Sequence, residues 1–243
     1  MKMKKIENHG SLYICGDIHG EWKTLGNNCR NLDGVVVIAG DCGIWEEKKP
    51  YWDQVSRWLL KRSPKAVYLC VRGNHDNPQA WETGLDYPNL KTIKDGEPVE
   101  VGNICILPIG GGTSVDREDR VKENKKLMHF GAHRRVWWED EGVNQDLDLP
   151  EVKPSIIVSH EAPIGIGPTL VREDGEDLDI YSSIVSDREY LQTVLIRYNP
   201  RFWFFGHHHS GDSGNTGFTS WYQLGIHMLH KVEIGDESDK IDN

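Results

Sequence analysis

The sequence lacks long apolar runs and an excess of positive charge, and each absence excludes a class of protein. No run approaches the roughly 20 apolar residues of a membrane-spanning helix, and no apolar stretch follows the basic start. We therefore expect neither a membrane protein nor a signal peptide. The formal net charge of −10 argues against tight, nonspecific binding of nucleic acid, because such binding needs a basic surface.

Cysteines are also few, and their odd number does not suit a set of disulfide pairs. They are Cys15, Cys29, Cys42, Cys70 and Cys105. Most of them lie in apolar, strand-like runs, which predicts small buried side chains in a reducing compartment rather than a disulfide framework. The expected location is therefore the cytoplasm.

Short apolar runs rich in Val, Ile and aromatic residues alternate with helix-like stretches. The strand-like runs are Leu12–Cys15, Val35–Ala39, Ala66–Val71, Ile104–Ile109, Ser155–Val158 and Phe202–Phe205. The helix-like stretches are Glu21–Cys29, Pro50–Arg62, Pro78–Thr83 and Asp187–Tyr198. Runs without polar alternation suit strands buried on both faces, and the repeated strand-to-helix order predicts parallel β-α-β units. Functional residues gather at the carboxyl ends of strands in such sheets.

Two stretches depart from this order. Thr219–Leu224 and Ile226–Ile234 flank Gly225 and predict an antiparallel hairpin. Residues 110–149 mix glycines with many charges, and we predict a long, irregular insertion or lid-like loop near the site. The sequence shows no repeat and no convincing linker, so we predict one domain over residues 1–243.

Five short motifs carry the candidate ligands, and each follows a strand-like run. They are Gly16-Asp17-Ile18-His19-Gly20, Gly40-Asp41, Gly73-Asn74-His75-Asp76, Ser159-His160-Glu161 and Gly206-His207-His208-His209. In an extended chain, residues two apart face the same side, so Asp17 and His19 are expected to grip one ion. By the same rule, His207 and His209 face inward and His208 faces away; we expect it to be exposed, and the alternative is that it supports a ligand from behind. Five such motifs in this order predict two metal ions bound side by side.

The types of ligand narrow the choice of metal. Asp41 has two carboxylate oxygens and suits a bridge between two ions, whereas Asn74 offers a neutral amide oxygen. Imidazole and carboxylate ligands without a thiolate favour Mn, Fe or Zn over Ca or a structural zinc–cysteine site. We expect two divalent ions, with Mn first and Fe or Zn as alternatives.

The ordered series resembles that of the calcineurin-like metallophosphoesterases and spans most of the chain. The resemblance implies an α/β fold, a metallophosphoesterase-type four-layer αββα sandwich of two mixed β-sheets. It also implies two sets of metal ligands, which share one residue. The first ion would be held by Asp17, His19, Asp41 and His209, and the second by Asp41, Asn74, His160 and His207. The stretch Gly111–Arg117, with Trp137-Trp138-Glu139, is similar to a bacterial and phage branch of the family.

The activity implied by the resemblance is hydrolysis of phosphate mono- or diesters by attack of a metal-bridging hydroxide. Two ions about 3.5–4 Å apart lower the pKa of a bridging water towards neutrality. His75 occupies the position that the family uses as general acid. Phosphoprotein phosphatases carry a further Asp and an Arg soon after the Gly-Asp motif. Here Asp41 is followed by Cys42-Gly43-Ile44-Trp45, which contains neither. A protein phosphatase is therefore less favoured, and Asp76 becomes the candidate that orients His75.

Two arginines of the insertion are candidates for binding the substrate phosphate. Arg117 and Arg120 carry guanidinium groups, whose planar donors match phosphate oxygens. The alternative is that both are solvated loop charges.

Three functions are compatible with the sequence. The first is the phosphoesterase. The second is a nuclease or cyclic-nucleotide-type phosphodiesterase, which shares every ligand, although the acidic composition does not favour a nucleic acid partner. The third is a non-catalytic metal-binding scaffold, for which broken ligands are expected, whereas all are present. The expected partner is a phosphate-ester substrate, and the sequence predicts neither its identity nor the oligomeric state, because substrate choice lies in the surrounding loops.

Overall fold

The structure is a computed structural model that describes residues 3–7, 10–45, 49–130, 135–172 and 177–233. The helices are α1 (Trp22–Asn28), α2 (Lys49–Arg62), α3 (Pro78–Thr83), α4 (Arg117–His129) and α5 (Leu178–Tyr198). The strands are β1 (Lys4–Ile6), β2 (Ser11–Cys15), β3 (Asp33–Ile38), β4 (Lys65–Cys70), β5 (Asp86–Tyr87), β6 (Leu90–Thr92), β7 (Val99–Val101), β8 (Ile104–Ile109), β9 (Ile156–Ser159), β10 (Phe202–Phe205), β11 (Asp212–Asn215), β12 (Ser220–Gln223) and β13 (Leu229–Val232).

The strands form two mixed sheets. The first has six strands in the order β13-β2-β3-β4-β6-β5, and the second has seven in the order β1-β7-β8-β9-β10-β12-β11. In the first sheet β2, β3, β4 and β6 are parallel, and in the second β8, β9, β10 and β12 are parallel. The carboxyl ends of each parallel set therefore lie at one edge of its sheet.

Both sheets bury side chains on both faces, and this produces four layers. In β3, Val35 and Val37 pack into the core between the sheets, whereas Val36 and Ile38 pack on the other face. Apolar side chains of α1, α2 and α3 pack against this outer face of the first sheet. Those of α5 cover the outer face of the second sheet. The predicted αββα sandwich of two mixed sheets is confirmed.

Local sequence explains where two helices begin. The side chain of Asn77 accepts a hydrogen bond from the backbone N–H of Gln79, and Pro78 occupies the first turn of α3. The side chain of Asp177 accepts hydrogen bonds from the backbone N–H groups of Asp179 and Ile180 at the start of α5. Helix α4 differs, because none of its side chains is buried.

The predicted final hairpin is wrong. Strand β12 pairs with β10 and β11 in the second sheet, whereas β13 pairs with β2 in the first. The chain therefore passes from one sheet to the other around Gly225. An apolar pattern identifies a strand, but its partner depends on which sheet edge is free.

The insertion is more regular than predicted, since α4 spans Arg117–His129. Its residues 131–134 lie outside the described ranges. That residues 1–243 form one domain stays a prediction. Within the described residues, no helix combines the length and apolar character needed to cross a membrane.

Candidate metal centre

The candidate ligands lie where the carboxyl ends of the two sheets meet. Asp17, Asp41 and Asn74 follow β2, β3 and β4 of the first sheet, whereas His160 and His207 follow β9 and β10 of the second. Each sheet therefore supplies one side of the site, which is the arrangement that parallel strands favour.

The first cluster contains Asp17, His19, Asp41 and His209, and one ligand atom of each lies within 4.8 Å of all the others. His209 Nε2 lies 3.2 Å from Asp17 Oδ2 and 2.9 Å from His19 Nε2. His19 Nδ1 lies 3.7 Å from Asp41 Oδ2. This cluster has the atoms and the separation that a single cation requires.

A second cluster forms on the other side of Asp41. His160 Nε2 lies 2.8 Å from Asn74 Oδ1 and 3.4 Å from Asp41 Oδ1. The imidazole of His207 lies beside that of His160, with 4.9 Å between the ring centres. The structure therefore brings all seven predicted ligands to one place, and Asp41 belongs to both clusters.

In the second cluster, the hydrogen bonds leave a lone pair of His160 facing a lone pair of Asn74. The carbonyl of Ala39 can only accept, so the His160 Nδ1 atom 2.8 Å away carries the proton. In the neutral ring, Nε2 is then a lone pair that faces another acceptor, Asn74 Oδ1. In addition, Asp41 Oδ2 is buried without a hydrogen-bond partner among the described residues. Acceptors that converge without a donor fit a bound cation.

Burial and mutual repulsion set the charges of the site. Burial raises the pKa of Asp41 well above its usual value, and the nearby Asp17 carboxylate raises it further. Burial also opposes ionisation of Asp17, but its hydrogen bonds with the His209 side chain and the His207 backbone N–H outweigh it and lower the pKa of Asp17. Burial lowers the pKa values of His160 and His207, that of His207 to about 3, so both rings are neutral and can act as ligands.

The ligand loops contain an unusual backbone conformation. Within the described ranges, four candidate ligands have positive φ angles, at 45° for His19, 46° for Asp41, 65° for His207 and 54° for His209. Side chains other than glycine rarely adopt this conformation, and such strain concentrates at functional sites. The prediction that an extended chain brings His19 beside Asp17, and His209 beside His207, is therefore wrong. Left-handed turns bring these side chains together instead.

Two glycines allow the ligand loops to approach each other. A Cβ atom at Gly206 would lie 2.0 Å from Asp17 Oδ1, and one at Gly73 would lie 2.1 Å from Asp41 Oδ1. Any other residue would displace a carboxylate of the first cluster, so these positions require glycine.

His75 lies at the edge of the two clusters. Its backbone N–H donates to Asp41 Oδ1 at 2.9 Å, and its ring Nε2 lies 3.8 Å from Asp41 Oδ2. The guanidinium of Arg120 lies against the ring, with Nη2 2.9 Å from Nδ1 and 2.5 Å from Nε2. Burial, followed by the charge of Arg120, lowers the pKa of His75 to about 2.

The carboxylate of Asp76 contacts the backbone rather than the ring of His75. It accepts hydrogen bonds from the backbone N–H groups of Gly73 at 2.8 Å, Ile44 at 2.8 Å and Cys42 at 3.0 Å. Asp76 therefore ties the loop after β3 to the loop after β4, and the predicted orientation of His75 by Asp76 finds no contact to support it.

The two insertion arginines have different surroundings. Arg120 reaches His75 and also donates to Asp116 at 2.6 Å. Arg117 instead donates to the buried carboxylate of Glu141 at 3.2 Å and to Thr113 Oγ1 at 3.3 Å. The structure therefore brings Arg120, and not Arg117, to the side of His75.

Sequence reasoning missed a carboxylate behind the second cluster, although it directly follows a ligand. Glu161 is buried, and its Oε2 lies 3.6 Å from His207 Nε2. His208 is half-buried rather than exposed, and its Nε2 lies 2.9 Å from Glu161 Oε1, which agrees with the alternative that it supports the site from behind. Burial opposes ionisation of Glu161, but its hydrogen bond with His208 and the nearby guanidinium of Arg188 help to lower its pKa to about 2.

Solved structures of low sequence identity are similar to this chain, whereas none of the curated proteins matches it at a significant level. The phosphopantetheinyl hydrolase of Mycobacterium tuberculosis is similar at 13% identity and a TM-score of 0.49, over 97% of this chain and 98% of that one. TT1561 of Thermus thermophilus is similar at 12% identity and a TM-score of 0.44, over 89% of this chain and 90% of that one.

The sequence also matches a family over most of its length. Residues 10–211 match the calcineurin-like phosphoesterases, and this range contains every candidate ligand from Asp17 to His209. The predicted family is confirmed, whereas the bacterial and phage branch stays a prediction. The chain belongs to the calcineurin-like phosphoesterase family and is a metal-dependent phosphoester hydrolase.

Proposed function

We propose that the protein hydrolyses small phosphate esters at a centre of two divalent metal ions. The observation that carries this proposal is the pair of acceptor clusters that share Asp41. The first ion would be held by Asp17, His19, Asp41 and His209. The second would be held by Asp41, Asn74, His160 and His207.

The charge of the site suits an anionic substrate. Asp17 and Asp41 contribute −2, so two divalent ions leave a local charge of +2 in a chain whose net charge is −10. When bound, such ions lower the pKa of a water molecule and neutralise the charge that develops on the phosphate. The local positive charge attracts a phosphate ester despite the acidic composition.

His75 is proposed as the group that donates a proton to the leaving oxygen. Its low pKa in the free site means that the ring is neutral at pH 7. A bound phosphate dianion would stabilise the protonated ring, because an opposite charge nearby raises the pKa of a histidine. The same phosphate would accept hydrogen bonds from Arg120, which already lies against the ring.

The surroundings of His75 favour a small leaving group over a polymer. A cavity of about 210 Å³ lies beside the ring and is lined in part by Trp45, Asp116 and Arg120. Helix α4 forms one wall, so the insertion covers this side of the site. A nuclease would share every ligand, but the cavity and the acidic composition do not favour it.

The test is hydrolysis by metal-stripped protein that is reloaded separately with Mn, Fe(II), Zn or Mg. We expect Mn to restore the highest turnover, and we expect Asp41→Asn to lower it by about 10³-fold or more, since a shared ligand is lost. A nitrophenyl monoester and a bis-nitrophenyl diester, compared at equal concentration, would show which ester is preferred. Metal-loaded protein without turnover on any phosphate ester would contradict the proposal.

The role of His75 has a separate test. His75→Ala should bind both ions but slow the hydrolysis of an alkyl phosphate by about 10²–10⁴-fold. The loss should be smaller on a nitrophenyl ester, because nitrophenolate leaves without a proton. Equal losses on both esters would argue against proton donation by His75.

A cytoplasmic location belongs to the same proposal. All five cysteines are free in the structure, and four of them are buried. Free cysteines suit a reducing compartment, and fractionation of cells that produce the protein would test the location.

A further inference from the structure

The amide of Asn74 must be oriented correctly to act as a ligand. Its oxygen and nitrogen are interchangeable in shape, but only the oxygen binds a cation. Asn74 is 1% exposed, so water does not decide the orientation. The side chains that contact the amide nitrogen must therefore do so.

Two buried residues of the insertion form a chain of hydrogen bonds to this amide. Asn74 Nδ2 donates to Ser114 Oγ at 2.8 Å, and Ser114 Oγ donates to Glu141 Oε2 at 2.6 Å. Ser114 is 1% exposed and Glu141 is 0% exposed. Both residues come from the segment that the sequence predicted as an irregular insertion.

The direction of each bond follows from the other partners of Glu141. Its Oε1 accepts from the backbone N–H of Ser114 at 3.0 Å and from Arg117 Nε at 3.2 Å. A carboxylate can only accept, so the hydroxyl of Ser114 must donate to Oε2. The oxygen of that hydroxyl is then free to accept from Asn74 Nδ2, and Asn74 Oδ1 is left to face His160 and Asp41.

We propose that Glu141, through Ser114, is a positioning residue that holds the oxygen of Asn74 towards the second metal ion. The proposal rests on the two-ion centre of the proposed function and adds the group that orients one of its ligands. It also gives Arg117 a role, since this arginine of α4 fixes the carboxylate of Glu141 instead of binding the substrate.

Glu141→Gln should reverse the chain of hydrogen bonds without changing its shape. The carbonyl oxygen of the new glutamine should take the Oε1 position, where two N–H donors point, and its NH₂ group then donates to Ser114 Oγ. The Ser114 hydroxyl would donate to the side chain of Asn74, so the Asn74 amide would flip and present its NH₂ group to the metal. We expect the second Mn²⁺ ion to bind about 10–100-fold more weakly, while the first is unaffected.

Two further variants separate orientation from simple structural support. Ser114→Ala removes the relay without reversing it, so the affinity of its second Mn²⁺ ion should fall by less than about tenfold. Asn74→Asp in the Glu141→Gln background should restore binding of the second ion, because a carboxylate offers an oxygen in either orientation. Asn74→Asp alone should bind the second ion more weakly than this double variant, since the new carboxylate and Ser114 Oγ would both be acceptors.

The measurement is Mn²⁺ titration of metal-free protein by calorimetry, with electron paramagnetic resonance to count bound ions. Glu139→Gln is the matched control, because it makes the same chemical change at an exposed position close by in the chain. Circular dichroism would confirm that each variant is folded.

The outcomes separate this inference from the proposed function. Two ions in both the wild type and Glu141→Gln, with equal affinities, would overturn the role of Glu141 and leave the two-ion centre intact. Failure of the double variant to regain the second ion would also overturn it. A single ion in the wild type would overturn the two-ion centre, and the inference with it.

Discussion

The strand-end ligand loops and helix α4 reach the same site by different physical means. The ligand loops leave strands that are buried on both faces, and Asp41 and His160 are themselves buried. Helix α4 has no buried side chain and is held by polar contacts, among them Arg117 to Glu141 and Arg120 to His75. Packing therefore fixes the backbone of the ligand loops, whereas hydrogen bonds and ion pairs fix the groups around the ligands.

This difference predicts which changes the protein tolerates. A larger side chain at a close-packed glycine of a ligand loop has no room to adjust, so it should weaken metal binding strongly. A change on α4 should leave the fold intact and alter turnover or the binding of one ion. The two regions can thus be tested against each other.

The largest effect is expected from Gly206→Ala in a ligand loop. The new Cβ atom would lie 2.0 Å from Asp17 Oδ1 and would displace that carboxylate. We expect the affinity for the first ion to fall by at least about 100-fold, because direct ligands matter at least as much as the residues behind them. Mn²⁺ titration measures the loss.

Gly225→Ala is the control for this substitution, because its nearest non-neighbouring atom would lie 3.4 Å away. It should bind both ions as the wild type does. Normal affinity in Gly206→Ala would show that the ligand loops adjust more easily than their packing implies.

The second prediction compares α4 with α5, which has a buried apolar face. Leu191→Ala on α5 should lower the free energy of unfolding by about 2–5 kcal/mol, because this side chain is fully buried. Met128→Ala on α4, where the side chain is exposed, should change it by less than about 0.5 kcal/mol. Urea unfolding of both variants is the measurement, and equal losses would remove the distinction between the two helices.

The third prediction concerns the contact between α5 and the insertion. Asp187 accepts hydrogen bonds from Thr113 Oγ1 at 2.8 Å and from the Val143 N–H at 3.2 Å. Burial raises its pKa from 3.8 to about 6. Since the folded carboxyl holds its proton more tightly than the unfolded one, this group stabilises the fold fully below about pH 4. That contribution, at most about 3 kcal/mol, is lost as the pH rises through 6.

Asp187→Asn removes this titration and serves as its test. The free energy of unfolding of the wild type minus that of the variant should therefore decrease between pH 4 and pH 7. Urea unfolding at both pH values measures it, and a constant difference would show that Asp187 titrates equally in both states.

The smallest effect is expected from Arg120→Ala on α4. This change removes a charged donor beside His75 and should lower kcat/KM by roughly tenfold, while the affinity for both ions stays the same. Steady-state kinetics and Mn²⁺ titration provide the two measurements. Lys122→Ala, an exposed change on the same helix, should alter neither, and a loss of metal affinity in Arg120→Ala would contradict its proposed role.

Much of the fold could be predicted because its signals are local. The parallel strands β8 and β10 match their predicted bounds, and helix α3 begins and ends as predicted. The final hairpin could not be predicted correctly, because β12 and β13 find their partners in different sheets. Helix α4 lacks an apolar stripe, so its residues show no helical periodicity to detect.

The candidate site likewise contains residues that the sequence predicted and residues that it did not. All seven predicted ligands come together, since each lies in a short loop that follows a strand whose end is fixed by the sheet. Ser114, Glu141 and Glu161 were missed as groups that act on those ligands. Glu161 had a signal in its position after His160, whereas Glu141 has none, because it reaches Ser114 only when the insertion folds back.

The sequence by itself determined the ligand types, their order and their place at strand ends, because these depend on local patterns along the chain. The tertiary structure alone decided the contacts of the insertion. It brought Arg120 to His75, tied Asp76 to backbone amides and joined Glu141 to Asn74 through Ser114. The physical reason is that a ligand position follows from the strand before it, whereas a hydrogen bond between distant residues exists only after both have been packed into place.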